Sequence, residues 1–379
     1  MQHTQNQQLP ESGANQPEPA AQKSKNGLCR VWVVLVCILA VLAVGMSALV
    51  LHVYLSGKNI RRSNAAPKLE TLAPAAQTGE TAEKTTEKTT ESSLRDDSTV
   101  LVNGTHYRFN DEIQTFLLLG IDSHMPAYTD GSCNVHAFSD AIMLAAMDFR
   151  NERISLIAIS RDTMCEFQAL NPDGTEGDHV YGQLALSFSY GDGDAKSCEI
   201  TKDAVSQIMC DLPIASCSAL YLDGLQELND AVGGVTVTIL EDIDYGYASM
   251  QQGAEVTLDG PMAEQYIRRR EHTEVGNPKR MERQKQYIIA LLKKTMETVR
   301  QNPERILDIY NSIKGDVVTD LTAGEIVYLA TAAARMTVDS EIRSLPGQVR
   351  LSEDGFAQYY LDEKGLLDLL LDVYYIPCE

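Results

Sequence analysis

The stretch from Val31 to Leu55, VWVVLVCILAVLAVGMSALVLHVYL, runs for twenty-five residues without a charged side chain. In hydrocarbon every backbone polar group must find its partner inside the segment, and a helix of about 20 apolar residues does so while crossing. We therefore read residues 31–55 as a transmembrane helix. The rival reading is a cleaved signal peptide, whose apolar core is roughly 7–15 residues long behind a short leader. Here the core is longer and follows a thirty-residue polar leader. Charge does not orient the span, because Lys23, Lys25 and Arg30 precede it while Lys58, Arg61, Arg62 and Lys68 follow. Cysteine usage leans toward an exterior placement of the larger part. Apart from Cys29 and Cys37, six cysteines remain, Cys133, Cys165, Cys198, Cys210, Cys217 and Cys378. An even number suits an oxidising compartment, though their connectivity stays open and buried reduced thiols are an alternative.

The span also divides the chain. Residues 1–30 are rich in Gln, Asn, Pro and Ala and read as a disordered tail. Residues 56–108 open with low-complexity sequence containing EKTTEKTT, which cannot bury enough apolar surface to offset chain entropy, so a solvated stalk is expected. The NGT at Asn103 fits a glycosylation pattern that is common by chance. Globular character begins near Phe109. IQTFLLLG, DAIMLAAMDF, ISLIAIS and GGVTVTIL read as strands, and ITKDAVSQIMCDL, LDGLQELNDAV and PKRMERQKQYIIALLKKTMETVRQ as amphipathic helices. Strands interleaved with helices predict an α/β domain with helices on both faces of a sheet. Residues 301–379 read as a mostly helical C-terminal extension packed on that domain, with TAGEIVYLATAAARM as a helix, a short strand-like EIRSLPG, and a closing packing helix in KGLLDLLLDVYYIP.

The formal net charge of −21 argues against a nucleic-acid partner. Yet YIRRREHTEVGNPKRMERQ, Tyr266 to Gln284, gathers six Lys/Arg residues in nineteen positions. With strand-like flanks, EQYIRRR would place Arg268 and Arg270 on one face and Arg269 on the other. Pro278 suits the first turn of a helix on which Arg280, Arg283 and Gln284 share a face. Two pairs of guanidiniums beside a helix N-terminus make an anion cradle. The plainer reading is a solvated charged face, helped by Glu271, Glu274 and Glu282.

A hairpin turning between Arg150 and Asn151 would set Asp140 directly opposite Arg161 at its open end. LLLGIDSH puts Asp122 just after the preceding strand, where α/β proteins keep ligands. Asp122 and Asp140 could hold a hard divalent cation, Mg²⁺ or Mn²⁺, that takes phosphate oxygens as further ligands. Alternatively they cap turns or pair with Arg161. No CxxC or His/Cys cluster suggests a zinc site. No Ser or Cys motif supports a nucleophilic triad, and His272 reads as a surface residue.

Taken in order, LLLGID, SDAIML, ISLIAISRDT, LNDAVGGVTVTI, YIRRR and RMERQ resemble the LytR-CpsA-Psr family over roughly Phe109 to Arg300, with weaker similarity as far as SLPG. The resemblance implies an α-β-α sandwich with a mixed central sheet as a catalytic domain over 109–300. It also implies a single-pass cell-membrane protein with the N-terminus cytoplasmic and the domain extracellular. The implied activity is that of a cell wall glycopolymer ligase. Such a phosphotransferase takes a glycopolymer from a polyprenyl pyrophosphate carrier and attaches it by a phosphodiester to a peptidoglycan acceptor. Matched motif by motif, Asp122 and Asp140 are the metal-associated aspartates, and Arg161 and Asp162 the catalytic pair, with Asp162 orienting either Arg161 or an acceptor hydroxyl. Arg161, Arg268, Arg270, Arg280, Arg283 and Gln284 correspond to the pyrophosphate-binding set. The sequence departs from the family pattern at Phe138, where Arg usually stands, at Gln183 and Ala185, which replace Lys and Asn, and at Asn277, which replaces an acid. Those departures keep a second reading open, a non-catalytic member that binds polyprenyl pyrophosphate or wall polymer and regulates envelope metabolism.

Overall fold

A turn organised by Asp148 sets the register at the centre of the sheet. Its carboxylate accepts from the backbone N–H of Arg150 at 3.0 Å and of Asn151 at 2.9 Å, and Glu152 beyond takes a left-handed φ of 50°. The computed structural model describes residues 66–72, 76–77, 99–122, 137–171, 173–244, 249–269 and 276–378. In chain order these form strands β1 (Thr99–Val102), β2 (Thr105–Phe109), β3 (Ile113–Ile121), β4 (Ser139–Asp148), β5 (Arg153–Ile159), β6 (Met164–Leu170) and β7 (Glu176–Gln183). Helix α1 (Ala195–Ile208), strand β8 (Ser216–Tyr221), helix α2 (Gly224–Ala231) and strands β9 (Val235–Thr238) and β10 (Glu255–Leu258) follow. Then come helices α3 (Gly260–Arg268), α4 (Gly276–Gln301) and α5 (Arg305–Ile313), strand β11 (Val317–Thr319) and helix α6 (Ala323–Ala333). Strands β12 (Gly347–Leu351) and β13 (Ala357–Leu361), helix α7 (Glu363–Tyr374) and strand β14 (Tyr375–Cys378) complete the order.

The central sheet is mixed. β3 pairs antiparallel with β4 and parallel with β8, and β4 pairs antiparallel with β5. In the β4–β5 hairpin Ile142 faces Ile159 and Asp148 faces Arg153, the register expected of a turn between Arg150 and Asn151. Alternation along the strands divides the core. Leu117, Leu119, Ile121, Leu144 and Ile157 pack with Val205 of α1 and Leu370 and Tyr374 of α7. Phe116, Met143, Met147 and Leu156 point the other way, toward Met296 of α4 and Tyr328 of α6. Each such fully buried side chain contributes about 1.5–3 kcal/mol by leaving water.

Three expectations are corrected. Residues 260–268 form helix α3, not a strand: Asp259 caps it by accepting from Met262 N–H at 2.9 Å, Pro261 fits the first turn, and Ala263 and Tyr266 are buried on one face. Residues 301–379 are not helical throughout: besides α5, α6 and α7 they supply β11, which pairs with β8 at one edge of the central sheet. At the other edge Thr337–Val338 and Arg343–Ser344 pair parallel with β5. The second piece lies in the strand-like EIRSLPG, whereas the first is too short to show a period in sequence. The stalk is not wholly solvated either: Leu69, Leu72 and Val102 are buried in the core, and β1 pairs with β2, which in turn pairs with β14.

The 31–55 span, the 1–30 tail, Cys133 and most of the stalk lie outside the described residues. Among the described residues no helix is long and apolar enough to cross a membrane. Cys165, Cys198, Cys217 and Cys378 are free thiols.

Candidate active site

The open end of the β4–β5 hairpin meets the end of β3. Gly120 makes this possible, because a Cβ there would stand 3.1 Å from the Cβ of Ala141 across the strand pair, and the ladder bulges at this point. The backbone of Phe138 then links two carboxylates. Asp122 N–H donates to the Phe138 carbonyl at 3.1 Å, Phe138 N–H donates back to Asp122 Oδ1 at 2.8 Å, and Asp140 N–H donates to the same carbonyl at 3.0 Å.

Arg161 stands between two further contacts. Its Nη1 donates to Asp140 Oδ1, and its Nε lies 3.7 Å from Asp162 Oδ1. About a third of each side chain is exposed, so such a pair adds only ~0–1 kcal/mol of stability. What it provides is orientation of a guanidinium at a strand end. The backbone there is held from three sides: Ala185 N–H donates to the Arg161 carbonyl at 2.9 Å, Leu184 N–H to the Thr163 carbonyl at 2.8 Å, and Tyr359 N–H of β13 to the Asp162 carbonyl at 2.7 Å.

Gln183, one of the departures from the family pattern, donates through Nε2 to Asp162 Oδ1 at 3.2 Å and to the Ala357 carbonyl at 2.6 Å. Burial pushes the Asp162 carboxyl above the ordinary carboxylate value, against the charges of Arg161 and Arg280. Arg280 is half-buried on the first turns of α4, and its charge is the smaller of the two felt at Asp162. Ala185 is buried, so that departure lies in packing.

The other basic residues gather at the junction of α3 and α4. Arg268 is largely exposed and donates to Glu264 at 2.5 Å, and Arg269 donates to the Asp244 carbonyl at 2.6 Å. Arg283 is 2% exposed and donates to Glu241 and to the carbonyls of Tyr266 and Arg269. Gln284 donates to the Ile267 carbonyl at 3.2 Å. Arg270 and the Asn277 side chain lie outside the described residues. The structure thus gathers Asp122, Asp140, Arg161 and Asp162 around the hairpin end, and engages Arg283 and Gln284 with the end of α3.

One feature of this region carries no sequence signal. Leu118, in the middle of central strand β3, is 40% exposed on the face that carries Phe116. Opposite it, no side chain of α6 is fully buried, and Ile288, Ile289 and Leu292 of α4 are only half-buried. A central strand normally loses all such exposure, so apolar surface of the sheet is left partly uncovered on the face that carries Phe116.

Asp122 and Asp140 present hard oxygen donors from backbone positions joined through one residue, which suits a cation that keeps waters and phosphate oxygens in its remaining positions. Among the described residues no group of three or more His, Cys, Asp or Glu gathers in metal-binding fashion. Two carboxylates are an incomplete donor set by themselves, leaving the remaining positions of a hard cation to waters and phosphate oxygens.

Residues 74–370 match the family model described as the LytR_cpsA_psr family. The chain is 29% identical over 236 residues to the polyisoprenyl-teichoic acid–peptidoglycan teichoic acid transferase TagU of Oceanobacillus iheyensis, covering 61% of this chain and 67% of that one. It is 25% identical over 269 residues to the protein of the same name from Enterococcus faecalis, covering 68% and 77%. Among solved structures, protein gbs0355 of Streptococcus agalactiae superposes with a TM-score of 0.55 at 20% identity, over 69% of this chain and 86% of that one, a likeness of fold.

Proposed function

This chain belongs to the LytR-CpsA-Psr family, and on that premise we propose that it is a membrane-anchored phosphotransferase, moving a glycopolymer from a polyprenyl pyrophosphate carrier to peptidoglycan. Relatives named as teichoic acid–peptidoglycan transferases support the role of a cell wall glycopolymer ligase. The observation that carries the reading is the cluster at the hairpin end, where the Arg161 guanidinium lies between Asp140 and Asp162. The span over 31–55 would tether the domain outside the membrane beside its lipid-linked donor.

The acceptor hydroxyl oxygen attacks the sugar-bearing phosphorus. The bond from that phosphorus to the bridging oxygen breaks, and polyprenyl phosphate leaves with the electron pair. Phosphoryl transfer asks the protein mainly for positioning and charge. Arg161 and Arg280, with Arg268 and Arg270, balance the pyrophosphate oxygens. Asp162, whose burial makes it a stronger base than an ordinary carboxylate, takes the hydroxyl proton. Asp122 and Asp140 would hold Mg²⁺ or Mn²⁺, which when bound supplies further positive charge to the phosphate oxygens. The partly exposed apolar surface at Leu118, on the sheet's α4/α6 face, suits the prenyl chain.

Gln183 favours a second reading. It fills the position of the family's Lys and ties up one oxygen of Asp162, as in a member that binds donor without transferring it. The two separate in a turnover experiment: the full chain in detergent, a short-glycan polyprenyl pyrophosphate, Mg²⁺ and peptidoglycan. Release of polyprenyl phosphate with a phosphodiester-linked product supports the transferase, and donor binding without release supports the regulator.

A further inference from the structure

Arg283 belongs to the basic run, yet only 2% of its side chain reaches solvent. Its three nitrogens all donate to protein oxygens: Nε to the Tyr266 carbonyl at 2.7 Å, Nη2 to the Arg269 carbonyl and Nη1 to Glu241. The next residue, Gln284, takes the Ile267 carbonyl. A helix ends with carbonyls that lack an intrahelical partner. At the end of α3 three carbonyls, those of Tyr266, Ile267 and Arg269, are taken by two consecutive side chains of α4. A guanidinium this buried requires a fixed acid. Glu241 is that acid, 15% exposed, and it also receives Lys279 at 2.9 Å. Tyr266, whose ring lies 6.0 Å from the Arg283 guanidinium carbon, donates its own hydroxyl to Gln286 at 2.6 Å, adding a third α4 side chain to the junction.

We propose that Arg283 is a positioning residue: with Glu241 and Gln284 it clasps the C-terminal turn of α3 and so places Arg268 for the donor pyrophosphate. This rests on the phosphotransferase reading given above. The RMERQ motif then divides its labour. Arg280 serves the Asp162 side of the site, and Arg283 and Gln284 hold the neighbouring arginine-bearing turn in place.

The test uses the full chain in detergent, with farnesyl pyrophosphate as the binding probe. Arg283→Lys keeps a charge for Glu241 but cannot reach two carbonyls at once, and Glu241→Gln removes the acid without approaching the ligand. Hydrogen exchange over Gln265–Arg269 is expected to rise about tenfold in both variants while exchange in β3 and β4 is unchanged. Affinity for farnesyl pyrophosphate is expected to fall about tenfold in both. Combining Arg283→Lys with Arg268→Ala should weaken binding no further than Arg268→Ala alone, because one acts through the other. Unchanged exchange at that turn, or additive losses in the double variant, overturns the proposal. If the native chain does not bind farnesyl pyrophosphate, the positioning role falls with the phosphotransferase reading. The exchange data then still decide whether the clasp exists, so the two failures are distinguishable.

Discussion

Asp140 at the start of β4 and Arg161 just past the end of β5 meet across the open end of a hairpin and form an ion pair. Neither residue owes its place to the other. Each is set by the register of strands whose apolar faces are buried on both sides, so the pair is a consequence of the core and marks the spot where the core ends.

Asp162 should govern the acid limb of the pH–rate profile. Burial raises its carboxyl above the ordinary value of 3.8, so the reactive, deprotonated form is lost at a higher pH than for an exposed aspartate. The rate is expected to fall as pH drops through that raised value. Asp162→Asn should remove the limb and lower kcat by about 10²–10⁴-fold, the usual contribution of a general base. A limb of the same position in the Asn variant would assign the titration elsewhere.

Added bulk at Leu118 separates lipid from headgroup. Leu118→Trp adds bulk at a side chain that is already 40% exposed, so the fold has room for it. Long polyprenyl donors should lose about tenfold or more in affinity, while inorganic pyrophosphate binds as before. Titration calorimetry with both ligands reads the difference, and equal losses for both would place the prenyl chain on another face.

Acid stability should depend on Asp339. Burial alone would push its carboxyl up, but hydrogen bonds from Arg153, Ser155 and Arg343 outweigh that and hold it at about 2. A folded-state value below the unfolded one stabilises the fold above the unfolded value of 3.8, and this stability is lost as pH falls through about 2. After allowing for the half-exposed Arg153, the contribution is about 1–2 kcal/mol at neutral pH. Asp339→Asn should therefore lower Tm by about 2–6 °C at pH 7, with the two melting curves converging near pH 2. A constant gap across that range would contradict the linkage.

The β4–β5 hairpin is legible in the sequence because two long apolar runs flank one polar turn, which leaves a single register that buries both. The same pattern is enough to set Asp140 opposite Arg161. It fails at EQYIRRR, although the start signal is present: Asp259, Gly260 and Pro261 are a helix cap and first turn, while the arginine run that follows imitates strand alternation. It fails again at Val317–Thr319 and Thr337–Val338, edge strands of three and two residues that carry no period, while EIRSLPG is strand-like in sequence. Arg283 has no sequence signal for its burial at all. A charged residue in a charged run reads as exposed, and its buried acid, Glu241, lies 42 residues away.

The central claim is that Arg161 and its carboxylate neighbours form the reaction centre for transfer from a polyprenyl pyrophosphate donor. The most direct measurement is single-turnover release of polyprenyl phosphate by the full chain in the presence of Mg²⁺ and peptidoglycan, native against Arg161→Ala. Loss of one preorganised positive group at developing charge should slow the step by about 10²–10³-fold at saturating donor. Equal rates for the two proteins would contradict the account and move the chemistry away from the hairpin end.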